Sequence, residues 1–258
     1  MRVATHNVWF SSYEQMPRWT ALLDEIAASD PDVIAFQEVT APFLDLVCET
    51  PWVRRDYLLS DRDGDTFERY GVMLLSRVPL SRLTLHDMPS RMARRLLVAE
   101  LAPGPDDGPD GGSGSMAVAT IHLESLKPSE PYREAQFKRC VAILDDFDHA
   151  VLMGDMNFCA TWPEENRRIP ARYIDLWPRL HPGDPGYTED TTINPMLHRY
   201  EQAPKKVRYD RIFLHSADRS WRPESIARLG TRPIGDDPLI YPSDHFGLAA
   251  TLRRRDAG

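Results

Sequence analysis

The sequence predicts an α/β protein with mixed β-sheets in a single domain over residues 1–258. Early in the chain, apolar runs with strand character alternate with helical patterns, whereas later strands follow one another as hairpin-like pairs. Alternation favours parallel strands and direct succession favours antiparallel ones, so we expect both. The length suits one large core, and no shift in composition divides the chain.

The strands are predicted from short apolar runs that lie between turn residues. They cover residues 2–9, 32–39, 70–76, 95–101, 116–123, 151–154, 207–214 and 246–252. No apolar run approaches the ~20 residues that a membrane helix requires, so the sequence predicts no contact with a membrane.

The helices are predicted from apolar residues that recur at helical spacing. The first covers residues 17–28 and ends at Asp30. Thr40 is expected to cap a short second helix, because threonine is a common N-cap. The third and best-defined helix covers residues 130–147, and a short fourth helix lies near residues 174–177.

Residues 102–115 are rich in proline, glycine and aspartate. After Ala102 they contain no apolar side chain other than proline. This composition predicts an exposed, flexible hairpin loop inside the domain and not a linker between domains. Its glycines do not form a phosphate-binding loop, because the required strand-to-helix context with a following lysine is absent.

Charge and cysteine content restrict the possible classes of protein. The net charge of −8 argues against a protein that coats nucleic acid without specificity. It is compatible with an enzyme that handles phosphates through a metal ion, because such a site needs carboxylates. Cys48, Cys140 and Cys159 have neither zinc-ligand nor redox spacing.

The N-terminus predicts a strand and not a secretory signal, so we expect a cytoplasmic protein. Nothing in the sequence requires an oligomer, so we expect a monomer.

Polar side chains lie at or beside the ends of several predicted strands, and one of them, Asp210, lies in the middle of the strand 207–214. They are Asn7, Gln37, Glu38, His122, Glu124, Ser125, Asp155, Asn157, Asp210, Ser243, Asp244 and His245. One such strand end is an ordinary turn, and the stretch VLMGDMN alone favours that interpretation. Several ends that converge would instead form a site for a hard cation and a phosphate group.

Ligand chemistry suggests how these residues divide their roles. Mg²⁺ prefers oxygen ligands and needs only one or two carboxylates, so Glu38 is the first candidate metal ligand and Asp244 the second. Imidazole suits softer metals, so His245 is better placed on a phosphoryl oxygen. A neighbouring carboxylate such as Asp210 would keep this histidine protonated.

Asp155 is then available as a base toward an attacking water, and Asn157 and Asn7 can orient that water or donate to a phosphate oxygen. In an extended segment, side chains two residues apart share a face. We therefore expect Asp155 and Asn157 to reach the same water or phosphate.

For three groups of residues, the sequence allows two interpretations. His122 is either a phosphate ligand or one of the common histidines that face a core. Glu124 and Ser125 either belong to the site or only order the end of their strand. The basic residues Arg91, Arg94 and Arg95 either contact substrate phosphates or form an exposed basic face.

Six motifs occur in the order of the endonuclease/exonuclease/phosphatase superfamily, which the chain resembles from about residue 3 to residue 252. They are THNVW, PDVIAFQEV, IHLES, GDMN, YDRIF and PSDHFGL. The resemblance implies a four-layer α/β/β/α sandwich with two packed mixed β-sheets and hydrolysis of a phosphodiester that depends on Mg²⁺ or Mn²⁺. It also implies the functional residues: Glu38 and Asp244 near the metal, Asp155 on the water, and Asn7, His122, Asn157, Asp210 and His245 around the phosphate.

Within the superfamily, the stretches IHLES, MPSRMARRLL and YTEDTTIN are most similar to the tyrosyl-DNA phosphodiesterase branch. A single-stranded DNA 5′ end blocked by a tyrosyl group is therefore one expected substrate. The chain departs from that branch at His6, at Phe158 and Cys159, where an arginine is missing, and at Glu189, which replaces an aromatic residue. A glutamate is a poor surface for base stacking, so a small or lipid phosphoester is the alternative substrate. A catalytically inactive binding module is the third hypothesis.

Overall fold

The computed structural model describes residues 1–104, 114–200 and 203–255. Most of the loop expected over residues 102–115 therefore lies outside the described residues. The strands are β1 (Arg2–Asn7), β2 (Val33–Val39), β3 (Leu58–Leu59), β4 (Gly71–Ser76), β5 (Leu80–Asp87), β6 (Arg95–Leu101), β7 (Met116–His122), β8 (His149–Asp155), β9 (Tyr173–Asp175), β10 (Glu189–Asp190), β11 (Lys206–Val207), β12 (Asp210–Ser216), β13 (Trp221–Leu229) and β14 (Gly247–Arg254).

The helices are α1 (Gln15–Ser29), α2 (Ala41–Glu49), α3 (Pro51–Asp56), α4 (Glu130–Leu144), α5 (Pro163–Asn166) and α6 (Leu176–Leu180). Two short 3₁₀ turns cover Lys127–Ser129 and Pro195–Arg199. No helix in the described part of the chain is long and apolar enough to cross a membrane.

The described strands form two six-stranded mixed sheets and one two-stranded ribbon. The first sheet has the order β13-β14-β1-β2-β4-β3, the second has the order β5-β6-β7-β8-β12-β9, and β10 pairs with β11. In each large sheet one central pair is parallel, namely β1 with β2 and β7 with β8. The other pairs are antiparallel, which confirms the predicted mixture of strand directions.

Buried side chains on both faces of each sheet explain the four layers. Val33 and Ala35 of β2 point into the core between the sheets, whereas Ile34 and Phe36 alternate with them and pack beneath α1 and α2. On the other side, Phe137 of α4 packs against the outer face of the second sheet. Strands that are buried on both faces read as continuous apolar runs, as the sequence of β2 does. The predicted four-layer α/β/β/α sandwich is confirmed.

Several element boundaries differ from the sequence prediction. Thr40 stands at the N-cap position of α2, but its side chain makes no capping hydrogen bond to any residue that the structure describes. The predicted helix over 174–177 is in fact the end of strand β9 followed by α6. The predicted strand over 207–214 is interrupted, because β11 pairs with β10 while β12 pairs with β8.

The sequence prediction missed β5 and β13, which are the edge strands on one side of each sheet. Both carry charged side chains and are largely exposed, and β13 contains Pro223. Edge strands often carry charges and proline, which prevent unwanted pairing with other chains. Such strands lack the apolar alternation from which a strand is predicted.

Candidate active site

The carboxyl ends of β1, β2, β7 and β8 meet at one edge of the sandwich and border a cavity of about 410 Å³. Six predicted site residues line it, namely Glu38, His122, Asp155, Asn157, Asp244 and His245. The remaining two lie directly behind, where Asn7 contacts Asp155 and Asp210 contacts His245. The structure therefore brings all eight residues together.

Asn7 at the end of β1 links carboxylates from both sheets. Its Nδ2 donates to Glu38 Oε1 over 3.2 Å and to Asp155 Oδ2 over 3.1 Å. Its Oδ1 accepts a hydrogen bond from the backbone N–H of Trp9 at 3.0 Å, which fixes the orientation of the amide. The buried amide thus holds two carboxylates that would otherwise repel each other.

An irregularity in β2 presents Glu38 to the cavity. The register between β2 and β4 shifts between Gln37 and Val39, and Glu38 has a positive φ of 61°. This backbone conformation is uncommon outside glycine and is often found at functional sites. Such a bulge redirects a side chain that regular alternation would place elsewhere. The other carboxylate oxygen, Oε2, accepts from Phe10 N at 3.2 Å.

Asp155 and Asn157 both face the cavity, but not for the reason that the sequence suggested. Strand β8 ends at Asp155, and Asn157 has a φ of 51°, so the segment is not extended. Its backbone N–H donates to Asp155 Oδ1 over 2.9 Å, and its Nδ2 donates to Leu123 O over 3.0 Å. A tight turn brings the two side chains together. The prediction that they share one face of an extended segment was therefore wrong.

Gly154 allows the two central strands of the second sheet to approach closely beside the site. A Cβ at this position would lie 2.1 Å from the carbonyl oxygen of Ile121, and the φ of Gly154 is 138°. Both conditions exclude larger side chains. The close approach sets His122 and Asp155 opposite each other at the ends of β7 and β8.

His245 forms a buried pair with Asp210, as predicted. Its Nδ1 lies 2.7 Å from Asp210 Oδ2, while Nε2 lies 3.4 Å from Glu189 Oε1 and 3.9 Å from Asp155 Oδ2. Burial by itself would lower the pKa of His245, but the surrounding carboxylates raise it well above its usual range. A protonated imidazole therefore lies in the cavity wall with Nε2–H available to an anion.

His122 has the opposite charge state. Burial and the adjacent Arg94 guanidinium lower the pKa of His122 well below its usual range. Arg94 Nη1 lies 3.0 Å from His122 Nδ1, and a guanidinium only donates. The neutral ring must then carry its proton on Nε2, which lies 3.3 Å from Asp155 Oδ2. His122 therefore contacts Asp155 and lines the cavity. This location favours a site residue over a histidine that only faces the core.

Asp155 is surrounded by hydrogen-bond donors. Burial would raise the pKa of Asp155, but His122, His245, Asn157 and Asn7 outweigh burial and lower it. The carboxylate is therefore ionised at neutral pH. It can accept a hydrogen bond from a water molecule in the cavity.

Asp244 and Glu38 are two further carboxylates that line the cavity. Burial raises the pKa of Asp244 to about 7, and the carboxylates of Glu38 and Glu189 add to the shift. Burial also raises the pKa of Glu38. Ser243 anchors the Asp244 turn, because its Oγ donates to Asn7 O over 2.7 Å.

This donor set fits a hard divalent cation. The described residues contain no ready-made group of three or more Asp, Glu, His or Cys side chains that could hold a metal ion. Mg²⁺ does not require such a group, because it binds through one or two carboxylates and keeps several waters. Clustered carboxylates whose pKa values are raised by burial and mutual repulsion would be stabilised by such an ion.

Glu189 and Lys205 belong to the cavity, although the sequence prediction assigned neither to the site. Glu189 lies on β10 and is buried, and its Oε2 is 2.6 Å from Lys205 Nζ. Among the described residues that line the cavity, Lys205 is the one lysine or arginine. No pattern along the sequence signals this pair, because the pairing of β10 with β11 brings it into place.

The three arginines before β7 have different environments. Arg94 is buried and contacts His122 and Ser125, with a distance of 2.8 Å from its Nη2 to Ser125 Oγ. Arg91 bonds to the Tyr132 hydroxyl and Arg95 to the carbonyl oxygen of Thr66, both away from the cavity. Only Arg94 of the three thus supports the site.

Glu124 has an organising position next to these arginines. Its carboxylate accepts hydrogen bonds from Ser90 Oγ at 2.6 Å and from Arg91 N at 2.8 Å. Gln136 Nε2 of α4 donates to the same carboxylate over 3.2 Å. Glu124 therefore holds the segment that precedes β6 and does not line the cavity.

The positions at which the chain departs from the tyrosyl-DNA phosphodiesterase motifs differ in their relation to the cavity. Phe158 is buried against Phe137, with ring centroids 6.0 Å apart. His6 is also buried, and burial lowers its pKa to about 4. Glu189 alone among these departures lines the cavity.

Solved structures share this architecture. A crystal structure of D. rerio TDP2 (tyrosyl-DNA phosphodiesterase 2) complexed with a single-strand DNA product has a TM-score of 0.82 and 23% identity, and the match covers 98% of each chain. TDP2 from C. elegans has a TM-score of 0.78 and 22% identity over 97% of this chain and 74% of that chain. The similarity to tyrosyl-DNA phosphodiesterase 2 that the motifs predict is confirmed. At sequence identities of 23% and 22%, this similarity shows that the chain has the same fold.

A search of curated protein sequences found no match. The family model described as the endonuclease/exonuclease/phosphatase family, by contrast, matches residues 4–245. That match covers nearly the whole chain and includes every element that borders the cavity. The chain therefore belongs to the endonuclease/exonuclease/phosphatase family.

Proposed function

We propose that the chain is a metal-dependent phosphodiesterase that hydrolyses a phosphodiester with an activated water. The observation that carries the proposal is the environment of Asp155. Its carboxylate lies between the Nε2 atoms of His122 and His245, at 3.3 and 3.9 Å, in the wall of an open cavity. An ionised acid between a neutral and a protonated imidazole provides both a water ligand and phosphate ligands in one place.

Each side chain has a role in this proposal. Asp155 orients the attacking water and accepts its proton as the new P–O bond forms and the bond from phosphorus to the leaving oxygen breaks. His245, kept protonated by Asp210, stabilises the negative charge that develops on the phosphoryl oxygens. His122 donates through Nε2–H, and Asn157 has a second amide hydrogen available for the same phosphate. Asn7 keeps Glu38 and Asp155 in place through its two hydrogen bonds.

Glu38 and Asp244 would hold Mg²⁺ or Mn²⁺. Such an ion would supply Lewis-acid chemistry, which stabilises negative charge on a phosphate. One chain contributes every side chain of the proposed site, so we propose that it acts as a monomer.

The first candidate substrate is a single-stranded DNA 5′ end blocked by a tyrosyl group. The support is the shared fold with D. rerio TDP2, whose structure contains a single-strand DNA product. Tyr200 lines the cavity, is 60% exposed and packs edge-on against Trp9 with ring centroids 5.2 Å apart, so it offers a surface for a base.

A small phosphodiester is the second candidate, and Glu189 favours it. This buried carboxylate lies 3.4 Å from His245 Nε2, where, even though it is paired with Lys205, it places negative charge beside the expected phosphate position. Repulsion of this kind disfavours substrates that bring several phosphates close together.

The deciding experiment compares hydrolysis of a 5′-phosphotyrosyl oligonucleotide with hydrolysis of bis-p-nitrophenyl phosphate, with Mg²⁺, with Mn²⁺ and with EDTA. Metal-dependent release of tyrosine supports the DNA substrate. Hydrolysis of the small ester alone supports the second candidate. Absence of metal-dependent hydrolysis for both, and for a broad panel of phosphoesters, would contradict the proposed function and favour a binding module.

A further inference from the structure

A second cavity, of about 500 Å³, lies outside the candidate active site and is lined by basic side chains. Its lining contains five arginines and one histidine but no aspartate or glutamate among the described residues. These are Arg172, Arg179, Arg219, Arg222, Arg255 and His215. Such a concentration of positive charge is unexpected in a chain whose net charge is −8. We call this feature the basic cavity.

The basic cavity lies at the end of the sandwich opposite the candidate active site. Strand β12 connects the two, because Asp210 at its start contacts His245 and His215 near its end lines the basic cavity. Six residue steps along an extended strand separate Asp210 from Ser216, which corresponds to about 20 Å. The basic cavity is therefore a separate feature and not an extension of the active-site cavity.

Most of its positive charge is not neutralised within the described part of the chain. Arg172 pairs with Asp145, with 2.9 Å between Nε and Oδ1. The other four arginines form no ion pair with any described residue. Nearby Asp218 instead accepts hydrogen bonds from Ser220 N and Ser216 Oγ, at 2.8 and 3.3 Å. Like charges held around one cavity repel each other, and a bound anion would relieve that repulsion.

Backbone hydrogen bonds and strand pairing hold two of these arginines in place. Arg222 lies in β13, paired with Arg253 of β14, and Arg255 N donates to Ser220 O over 2.8 Å. His215 is only 8% exposed and stacks on Tyr173, with ring centroids 5.2 Å apart. Its Nδ1 is buried and has no hydrogen-bond partner among the described residues.

We propose that the basic cavity binds consecutive phosphate groups. Guanidinium groups match phosphate oxygens in a two-pronged geometry, and several of them around one cavity suit more than one phosphate. Trp221 also lines the cavity and offers an aromatic surface beside the arginines, a combination typical of single-strand binding grooves. The ligand with this chemistry is a single-stranded nucleic acid or a free polyphosphate.

The test measures binding without catalysis. Fluorescence anisotropy of a labelled single-stranded oligonucleotide in EDTA is compared between the wild type and the variant Arg219→Glu/Arg222→Glu. Arg54→Glu/Arg62→Glu is the matched control, because it changes the net charge equally on an exposed surface elsewhere. We expect affinity to fall at least ~10-fold in the first variant, with a weaker salt dependence, and to change little in the control.

Tripolyphosphate distinguishes the two sources of the ligand. Calorimetric binding of tripolyphosphate that is lost in Arg219→Glu/Arg222→Glu, with unchanged oligonucleotide affinity, assigns the cavity to a free polyphosphate. Loss of oligonucleotide binding assigns it to nucleic acid. Unchanged binding of both ligands would overturn the proposal.

Two controls separate this proposal from the proposed function. Hydrolysis of a small ester should be the same in the wild type and in Arg219→Glu/Arg222→Glu, because the basic cavity is about 20 Å away. If the charge reversals unfold the chain, Arg219→Ala/Arg222→Ala replaces them. If the chain hydrolyses nothing, oligonucleotide binding that is weakened in Arg219→Glu/Arg222→Glu would still support the basic cavity.

Discussion

Asn7 Nδ2 donates to Asp155 Oδ2 over 3.1 Å, and this contact joins the end of β1 in one sheet to the end of β8 in the other. The same amide reaches Glu38. The candidate active site is therefore assembled across the interface between the sheets, and it exists only when the two sheets are packed together.

The first prediction concerns Asp155. Asp155→Asn should lower the kcat for bis-p-nitrophenyl phosphate by roughly 10²–10⁴, because the amide cannot accept the proton of the water. The exposed Asp146→Asn is the matched control. Circular dichroism should show that both variants are folded. An unchanged kcat in Asp155→Asn would remove its assigned role.

The second prediction concerns the metal. Glu38→Gln should raise the Mg²⁺ concentration needed for half-maximal activity by at least ~10-fold, because a neutral ligand binds a hard cation more weakly. Titration of activity with Mg²⁺ at saturating ester measures this shift. Glu49→Gln, at the end of α2, should leave the titration unchanged. The same Mg²⁺ requirement in Glu38→Gln and wild type would argue against Glu38 as a ligand.

The third prediction concerns the pair of Asp210 and His245. Asp210 acts through His245, from which it is separated by 2.7 Å, so the effects of the two substitutions should not add. Asp210→Asn and His245→Gln should each lower kcat, by roughly 10²-fold or more for the histidine. The double variant should be no slower than His245→Gln by more than about twofold. Additive losses in the double variant would show that Asp210 acts independently.

The fourth prediction concerns substrate preference. Glu189→Gln removes a buried negative charge next to His245 and keeps the shape of the side chain. We expect kcat/KM for an oligonucleotide substrate to rise several-fold relative to that for bis-p-nitrophenyl phosphate, because repulsion of about 1 kcal/mol is removed. The ratio of the two kcat/KM values is the measurement. A ratio equal to that of the wild type would show that Glu189 does not influence the choice of substrate.

The fifth prediction concerns stability and pH. Asp175 bonds to Arg208 and Arg211, with 2.8 Å from Arg208 Nη1 to Asp175 Oδ2. Burial alone would raise the pKa of Asp175, but Arg211 and Arg208 lower it. Asp175→Asn should therefore lower the free energy of unfolding by about 3–5 kcal/mol at pH 7, because it leaves buried guanidinium groups without their partner.

The sign of the pH dependence follows from the lowered pKa. The contribution of Asp175 is fully present above its unfolded pKa of about 3.9 and is lost as the pH falls through the lower folded value. Urea unfolding of wild type and Asp175→Asn should give a constant difference from pH 7 to pH 5 that shrinks below pH 4. The exposed Asp65→Asn should show almost no difference at any pH. A difference for Asp175→Asn that stays constant down to pH 3 would contradict the lowered pKa.

The sequence by itself determined the central strands, the main helices and the identity of eight candidate site residues. Apolar runs such as DVIAFQEV predict buried strands, because both faces of β2 lie in the core. The polar residues at the ends of those strands stand out for the same reason. The edge strands β5 and β13 could not be predicted, because exposure removes the apolar pattern.

Only the tertiary structure decided how those residues are arranged. The bulge at Glu38 and the turn at Asn157 depend on pairing with neighbouring strands, and both have positive φ values that the sequence does not reveal. Burial and Arg94 lower the pKa of His122, whereas Asp210 and the other carboxylates around His245 outweigh its burial and raise its pKa. Lys205 and Glu189 meet through a two-stranded ribbon, and the basic cavity joins arginines from distant segments. Local sequence patterns report burial along one element, whereas distances and pKa values depend on which elements pack against each other.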